Sequence, residues 1–272
     1  MELPSISIIT PSLNAASTIE TALESVRSQR YPRLEHVVVD GGSTDGTLEI
    51  LENAPGIRYV SEPDRGRPDA ANKGVALASG DVVAWLNADD RYESGALLAV
   101  GEAFAGAPQS VWVTGYCRIV DGDDRNIRRF VSSYKNLLLR HWSYGLYLTQ
   151  NFIADPATFV RRTALEAVGP FDDRYRISHD YDLWLRVARL GPPIVLQRDL
   201  ASFQMTEGTL SMAGFELQFR EHADVARRHG TGHPLPLAGN AVMSWLIPAI
   251  YRVLRVRRRA RARLSRSGRP TS

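Results

Sequence analysis

The chain has a single cysteine, Cys117, among its 272 residues. One thiol excludes an intrachain disulfide and any metal site built from several thiolates. Long apolar runs are also missing. Residues 241–251 are mostly apolar, but Pro248 interrupts them, and the run falls well short of the roughly 20 residues that span a bilayer. The opening Met-Glu-Leu-Pro-Ser carries no basic charge, and the apolar stretch behind it is too short for a secretory signal. A cytoplasmic protein is expected. The six histidines are scattered without metal-ligand spacing. Neither G-x-G-x-x-G nor G-x-x-x-x-G-K-[ST] occurs, which argues against a dinucleotide-dependent dehydrogenase and a P-loop nucleotidase. Acid is absent from Arg252 to Arg269, a segment with nine arginines; the rest holds 24 basic against 30 acidic residues. The basic tail alone makes the pI high, and such a tail usually meets a polyanion. The body has no basic stripe interleaved with aromatics, so no specific nucleic acid is expected.

The first ninety residues alternate between strand and helix patterns. Ile6 to Thr10 is a β-rich run broken by Pro11 and Asn14. Ile19, Ala22, Leu23 and Val26 follow at helical spacing, with Ser17 and Glu20 read as a capping box. Val37 to Val39 lead to Asp40 and the turn from Gly41 to Gly46. A helix through Leu48 and Leu51 precedes a strand from Arg58 to Ser61. This order predicts parallel βαβ units, whose ligands sit beyond the carboxyl ends of the strands. Thr10-Pro11, Asp40-Gly41 and Glu62-Pro63-Asp64 should therefore gather at one rim. Further on, a helix over 69–78, a strand over 81–86, and weaker strands at 111–114 and 119–120 are expected. Residues 124–153 are aromatic and poorly patterned, which suits an acceptor-side loop or helix. His179 and Asp180 open a helix, Ile194 to Leu196 form a last strand, and Phe215 to His229 read as a polar surface helix.

Carboxylates at the ends of strands carry the chemical argument. Asp40, Asp89 and Asp90 each follow a buried-strand pattern, where a carboxylate can accept hydrogen bonds from a base or ribose, or ligate a hard cation. Read singly, Asp40 can equally cap its glycine turn and Asp89 a helix. Together with Thr10-Pro-Ser-Leu-Asn14, Val39-Asp-Gly-Gly-Ser-Thr-Asp-Gly-Thr47, Asp64-Arg-Gly, Asn72-Lys-Gly74 and Leu86-Asn-Ala-Asp-Asp90, they form an ordered set. In that set, over residues 4–212, the chain resembles the family-two inverting glycosyltransferases, most closely the bacterial exopolysaccharide and colanic-acid type. The resemblance implies a GT-A fold, an α/β nucleotide-diphospho-sugar transferase fold with a mainly parallel sheet. It implies that Thr10, Pro11 and Asn14 line the nucleotide pocket, where relatives often have an acid in place of Asn14. Asp40 would bond the base, Asp64 and Lys73 would lie near the nucleotide and its phosphates, and Asp89 would ligate Mg²⁺ or Mn²⁺ with Asp90 beside it. Asn87 replaces the first acid of the family's Asp-x-Asp motif and can still bond ribose or phosphate.

The stretch from Phe171-Asp-Asp-Arg to Ser178-His-Asp-Tyr-Asp-Leu-Trp-Leu-Arg186 resembles the acceptor side of the family. The matching catalytic base is Asp180, taking the proton of the acceptor hydroxyl; His179 stands where Glu is common. Asp180 would also serve as a helix cap and Asp182 as a first-turn acid. Asp155-Pro-Ala-Thr-Phe159 resembles a positioning segment. Gln204 and Thr206 replace an Arg and a His common in relatives, and Gln-x-x-Arg-Trp is absent, which points to transfer of one sugar at a time. His179 and His222 read as a loop and a surface-helix residue. The expected organisation is a catalytic domain over 1–212, with a nucleotide-sugar half to about 92 and an acceptor half from 93. A helix and linker over 213–238 and an apolar-then-basic tail over 239–272 follow. Expected partners are a nucleotide-sugar donor, a glycan or polyprenyl-linked acceptor, and an anionic membrane surface met by the arginine-rich tail. A catalytically silent sugar-nucleotide or glycan binder is the alternative. A nucleotidyltransferase would need a Gly-rich, Arg/Lys-bearing loop where Thr10 to Asn14 stands.

Overall fold

The computed structural model describes residues 2–205 and 214–247. In chain order it contains β1 (Ile6–Ser12), α1 (Ile19–Arg27), β2 (Leu34–Asp40), α2 (Thr47–Asn53), β3 (Arg58–Ser61), α3 (Arg67–Leu77), β4 (Val82–Trp85), β5 (Arg91–Tyr92), α4 (Ala96–Gly106) and β6 (Trp112–Val120). There follow α5 (Arg129–Arg140), α6 (Tyr144–Thr149), a 3-10 turn (Asp155–Ala157), β7 (Thr158–Arg161), α7 (Arg162–Val168), α8 (His179–Ala188), β8 (Ile194–Gln204) and α9 (Phe215–His229). A last helix, α10, is described over residues 234–247. Among the described residues no helix is long and apolar enough to cross a membrane.

Eight strands form one sheet in the order β3-β2-β1-β4-β7-β6-β8-β5. The first four are mutually parallel, as the βαβ reading requires. β7 then runs antiparallel to both β4 and β6, while β8 is parallel to β6. Val37, Val38 and Val39 are all buried because helices cover both faces of the sheet, and this is why β2 shows no alternation. α1 buries Ile19, Ala22, Leu23 and Val26 on one stripe. The expected capping box does not form: the helix begins after Thr18, and no side chain caps it. α3 lies close on β1 because residue 74 is glycine. A Cβ there would run into the Ile9 side chain.

Three expectations change. The two weak strands at 111–114 and 119–120 are one strand, β6, with register irregularities on either side of Tyr116. Gly115 interrupts the apolar pattern there because Leu200 fills the space of its missing side chain. β8 continues well past Leu196, since Gln197, Arg198 and Asp199 are simply the exposed part of a long strand. α9 is not a surface helix. It buries Glu221, His222, Val225, Ala226 and His229, with His222 ring-stacked edgewise on Tyr181 of α8. The core under the site is aromatic: Trp184 of α8 packs between Trp85 and Trp112, with ring centroids 5.8 and 6.2 Å away.

Candidate active site

A cleft of about 1360 Å³ opens where the carboxyl ends of β1 and β4 meet the 3-10 turn and the start of α8. One wall includes Pro11, Asn14, Asp64, Arg67, Asn87 and Asp89. Asn14 has a positive φ of 50°. Its backbone N–H donates to Ser43 Oγ at 2.8 Å, and its Oδ1 accepts from the Thr44 N–H at 2.9 Å. That side chain therefore ties two rim loops together, a job its amide can do while tolerating the left-handed region. Asp64 accepts the Gly66 N–H at 2.7 Å and shapes the turn into α3.

Four expected site residues are not brought to the cleft wall. Thr10 is fully buried, with its hydroxyl 2.9 Å from His36 Nε2. Asp40 is fully buried as well; its carboxylate accepts from the N–H groups of Gly42 and Ser43 at 3.0 and 2.8 Å, from Ser61 Oγ at 2.8 Å, and from the Ser43 hydroxyl. Burial alone would raise its pKa, but bonds from Ser43, Ser61 and Gly42 outweigh that and hold the carboxyl below its usual range. Lys73 does not line the cleft and is tied to the Pro63 carbonyl at 2.9 Å and to Glu62 at 2.7 Å. Asp90 is buried under the cleft floor, accepting from Asn87 Nδ2 at 2.6 Å and from the Gln204 N–H at 3.0 Å. Burial and the neighbouring Asp89 push the Asp90 carboxyl well above the carboxylate range.

Asp89 differs from its neighbour. It lines the cleft and is only partly buried, and no other described residue donates a hydrogen bond to its carboxylate. Burial raises its pKa, opposed by the Arg67 charge. Among the described residues, no three His, Cys, Asp or Glu side chains converge on one point. The donor set thus suits a hard cation that takes one protein carboxylate and completes its shell with phosphate and water. Asn87 replaces what would have been a second carboxylate, and its Oδ1 accepts from Arg67.

Asp180, which also lines the cleft, stands in the first turn of α8. One oxygen accepts the Tyr181 N–H at 2.7 Å, and the other accepts from Asn151 Nδ2 at 3.3 Å. Burial raises its pKa, while those bonds and the charges of Arg67 and Lys135 pull the other way. Asp155 faces the same cleft with one carboxylate oxygen buried and unpartnered. Burial, then the Asp180 charge, push it up to about 7. His179 is buried at the start of α8, edgewise against Phe171 at 5.3 Å, and not in a loop. Burial, helped by Arg67, lowers it to about 3, so it is neutral. His222 is likewise buried, and lowered to about 3 by burial and then by Lys135. Both histidines line the cleft.

Arg67, Lys135, Asn151 and Glu221 escaped the sequence reading. Arg67 follows Asp64-Arg-Gly by position alone and could have been flagged as a cation beside a phosphate motif. Lys135 and Asn151 lie in the unpatterned stretch. Glu221 is read as surface in a polar helix, yet its carboxylate accepts the N–H groups of Arg176, Ile177 and Ser178 at 3.0, 2.9 and 2.9 Å. It thereby fixes the turn that presents His179 and Asp180. Asn72 belongs to the same frame, exchanging two hydrogen bonds with the Phe171 backbone at 3.0 and 2.9 Å. Thr206 lies outside the described residues.

The model of the family described as glycosyl transferase family 2 matches residues 7–169. A glycosyltransferase of Mycobacterium tuberculosis, itself uncharacterised, is 35% identical over 209 residues, covering 75% of this chain and 76% of the relative. A PGL/p-HBAD biosynthesis glycosyltransferase of Mycobacterium bovis is 33% identical over 199 residues, covering 68% and 70%. Among solved structures, the mannosyltransferase PcManGT of Pyrobaculum calidifontis in complex with GDP-Man and Mn²⁺ superposes with a TM-score of 0.66 at 19% identity, covering 94% of this chain and 81% of that one. S. aureus TarS 1–349 in complex with UDP-GlcNAc gives 0.62 at 19% identity, covering 89% and 73%. At that identity the structural likeness establishes the fold, and the sequence matches establish the family. The chain belongs to glycosyl transferase family 2 and is a transferase built on the GT-A fold.

Proposed function

We propose that this enzyme moves one sugar at a time from a nucleotide-diphosphate-sugar to a hydroxyl of a glycan or polyprenyl-linked acceptor, with inversion, in the assembly of a cell-surface polysaccharide. The observation that carries this reading is the pairing of two unlike carboxylates in one cleft. Both are partly buried; Asp89, at the donor end, receives no hydrogen bond from another described residue, whereas Asp180, at the acceptor end, is oriented by Asn151 and the Tyr181 N–H. Asp89 and the donor phosphates would hold Mg²⁺ or Mn²⁺, whose charge offsets that of the departing diphosphate. Arg67, held on Asn87, adds a fixed positive charge on the same side. The GDP-Man with Mn²⁺ and the UDP-GlcNAc named with the two structural neighbours are donors of this class.

Asp180 takes the proton of the acceptor hydroxyl as that oxygen attacks the anomeric carbon. The new C–O bond forms on the face opposite the departing nucleoside diphosphate, whose bond to the same carbon breaks, so the centre inverts without a covalent intermediate. Burial makes Asp180 more basic than an exposed aspartate, which favours proton removal near neutral pH. Asn151 and the Tyr181 N–H orient it. Asp40 acts on the base end indirectly, through the Gly42–Ser43 turn it organises. We place the enzyme on the cytoplasmic side, with the arginines of 252–269, which lie outside the described residues, drawn to anionic headgroups.

The test is thermal stabilisation of the full chain by UDP-, GDP-, dTDP- and CMP-sugars, with and without Mn²⁺ or Mg²⁺. Metal-dependent stabilisation by one nucleotide class is expected. Asp89→Ala should abolish it, whereas Asp180→Asn should keep it and lose transfer. Equal loss of donor binding in both variants would refute this division of roles. Stabilisation by no donor at all would favour the silent relative, which the replacement at Asn87 motivates.

A further inference from the structure

Two helices flank the acceptor end of the cleft and expose apolar side chains. On α5, Phe130 is 86% and Leu137 52% exposed; on α10, Val242 is 59% and Trp245 71% exposed. Both helices also face the cleft, α5 through Val131 and Lys135 and α10 through Ile247. They are neighbours across residues 149 and 150: Tyr134 of α5 donates to Gln150 Oε1 at 3.2 Å, and Asn240 of α10 donates to the Thr149 carbonyl at 3.2 Å. Two neighbouring helices that border the cleft thus each expose a pair of large apolar side chains to solvent.

Charge selects the partner. No acid occurs between Asp124 and Asp155, nor anywhere after Asp224, while the same stretches hold Arg129, Arg140 and the nine arginines from Arg252 to Arg269. Apolar and aromatic side chains among cations, with no acid, match an anionic headgroup layer, where rings sit at the boundary and arginines pair with phosphates. A second copy of the chain would set cations against cations, so self-association is disfavoured.

We propose that this face of α5 and α10 docks on an anionic bilayer, with Phe130, Leu137, Val242 and Trp245 entering the headgroup boundary and the cleft entrance held against the lipid surface. The arginine tail adds long-range attraction, but the docking surface is the exposed apolar side of the two helices. The identification of this end of the cleft as the acceptor side rests on the proposed function; the docking itself does not.

The test is co-sedimentation of the full chain with phosphatidylcholine vesicles and with phosphatidylglycerol/phosphatidylcholine vesicles, at 0.1 and 0.5 M NaCl. Low salt retains the pull of the arginines, and high salt screens it. The unaltered protein should bind the anionic vesicles and keep part of that binding at high salt. The Phe130→Ser/Leu137→Ser and Val242→Ser/Trp245→Ser variants, with all arginines in place, should each bind about tenfold more weakly, because apolar insertion is lost. Donor-induced stabilisation of both variants should match the unaltered protein, which checks folding and reports separately on the transferase reading. Unchanged vesicle binding in both variants would overturn the proposal and leave the arginines alone responsible. So would a shift from dimer to monomer in the variants, seen by light scattering without lipid, since the face would then belong to a second copy.

Discussion

Asp155 and Asp180 lie in one cleft, and only Asp180 has donors for both oxygens. Two carboxylates in a partly buried cleft disfavour each other's ionisation. The Asp180 charge helps hold the proton on Asp155 up to about 7, so Asp180 ionises first, with Asp155 still neutral beside it. If Asp180 is the base, transfer is lost as pH falls through its pKa, and the acid limb of the kcat/KM profile should stay in place in Asp155→Asn. A limb moved to lower pH would mean that Asp155 ionises before Asp180. Stability follows the same linkage. The folded state holds the Asp155 proton up to about 7, while the unfolded chain releases it near 4. Folding therefore loses stability as pH rises between those values. The Asn variant should be more stable at neutral pH, by on the order of 2 kcal/mol, measured by urea unfolding at pH 5 and pH 8.

On the proposed function α8 is the element on which the acceptor chemistry depends, and it is held from three sides. Trp184 anchors it to the sheet, Asp182 pairs with His229 and Arg186 at 2.7 and 2.9 Å, and Glu221 caps its leading turn. Glu221→Ala leaves three backbone N–H groups without their acceptor, a loss of about 2–4 kcal/mol. It should also lower kcat while leaving donor-induced stabilisation unchanged, because the turn it holds carries Asp180 and not Asp89. Glu221→Gln, which keeps one carbonyl oxygen, should recover part of kcat. An equal change in donor binding would show that Glu221 supports the whole fold and not α8 in particular. Asp182 is raised by burial, but bonds and charges from His229 and Arg186 outweigh this and hold it below the usual carboxylate range. Its contribution is therefore present above the unfolded pKa and lost as pH falls through the lower folded value. Acid unfolding below about pH 4 should be shallower in Asp182→Asn, followed by circular dichroism.

At the scale of the molecule, the cleft joins the parallel half of the sheet, which on the proposed function takes the donor, to the mixed half, which takes the acceptor. Filling the donor half should stabilise the whole chain, since both halves share one sheet. At a donor concentration one hundred times its Kd the gain is about 2.7 kcal/mol, a rise in melting temperature of roughly 5–11 °C for a domain of 150–250 residues. That rise is the size of signal on which the Asp89→Ala comparison depends.

The parallel half was readable from the chain because short strands and helices alternated there, and every strand end carried a turn signal or an acid. The family resemblance points to Pro11, Asn14, Asp64, Asn87, Asp89 and Asp180, and all line the cleft. What the chain alone could not say was which side chains the folded protein would use on itself. Asp40 and Thr10 sit at strand ends that form the rim, yet their oxygens are taken up by Ser43, Ser61 and His36. Lys73 turns to Glu62. Arg67, Lys135 and Asn151 reach the cleft from three different elements, and Glu221 acts across 43 to 45 residues of chain. Sequence by itself determined the strand–helix order and the placing of carboxylates at strand ends, because periodicity and turn chemistry are local. Only the tertiary structure decided which carboxylates stay open, which are satisfied internally, and which distant groups hold α8. Hydrogen-bond saturation and burial are set by neighbours that the chain brings together only on folding.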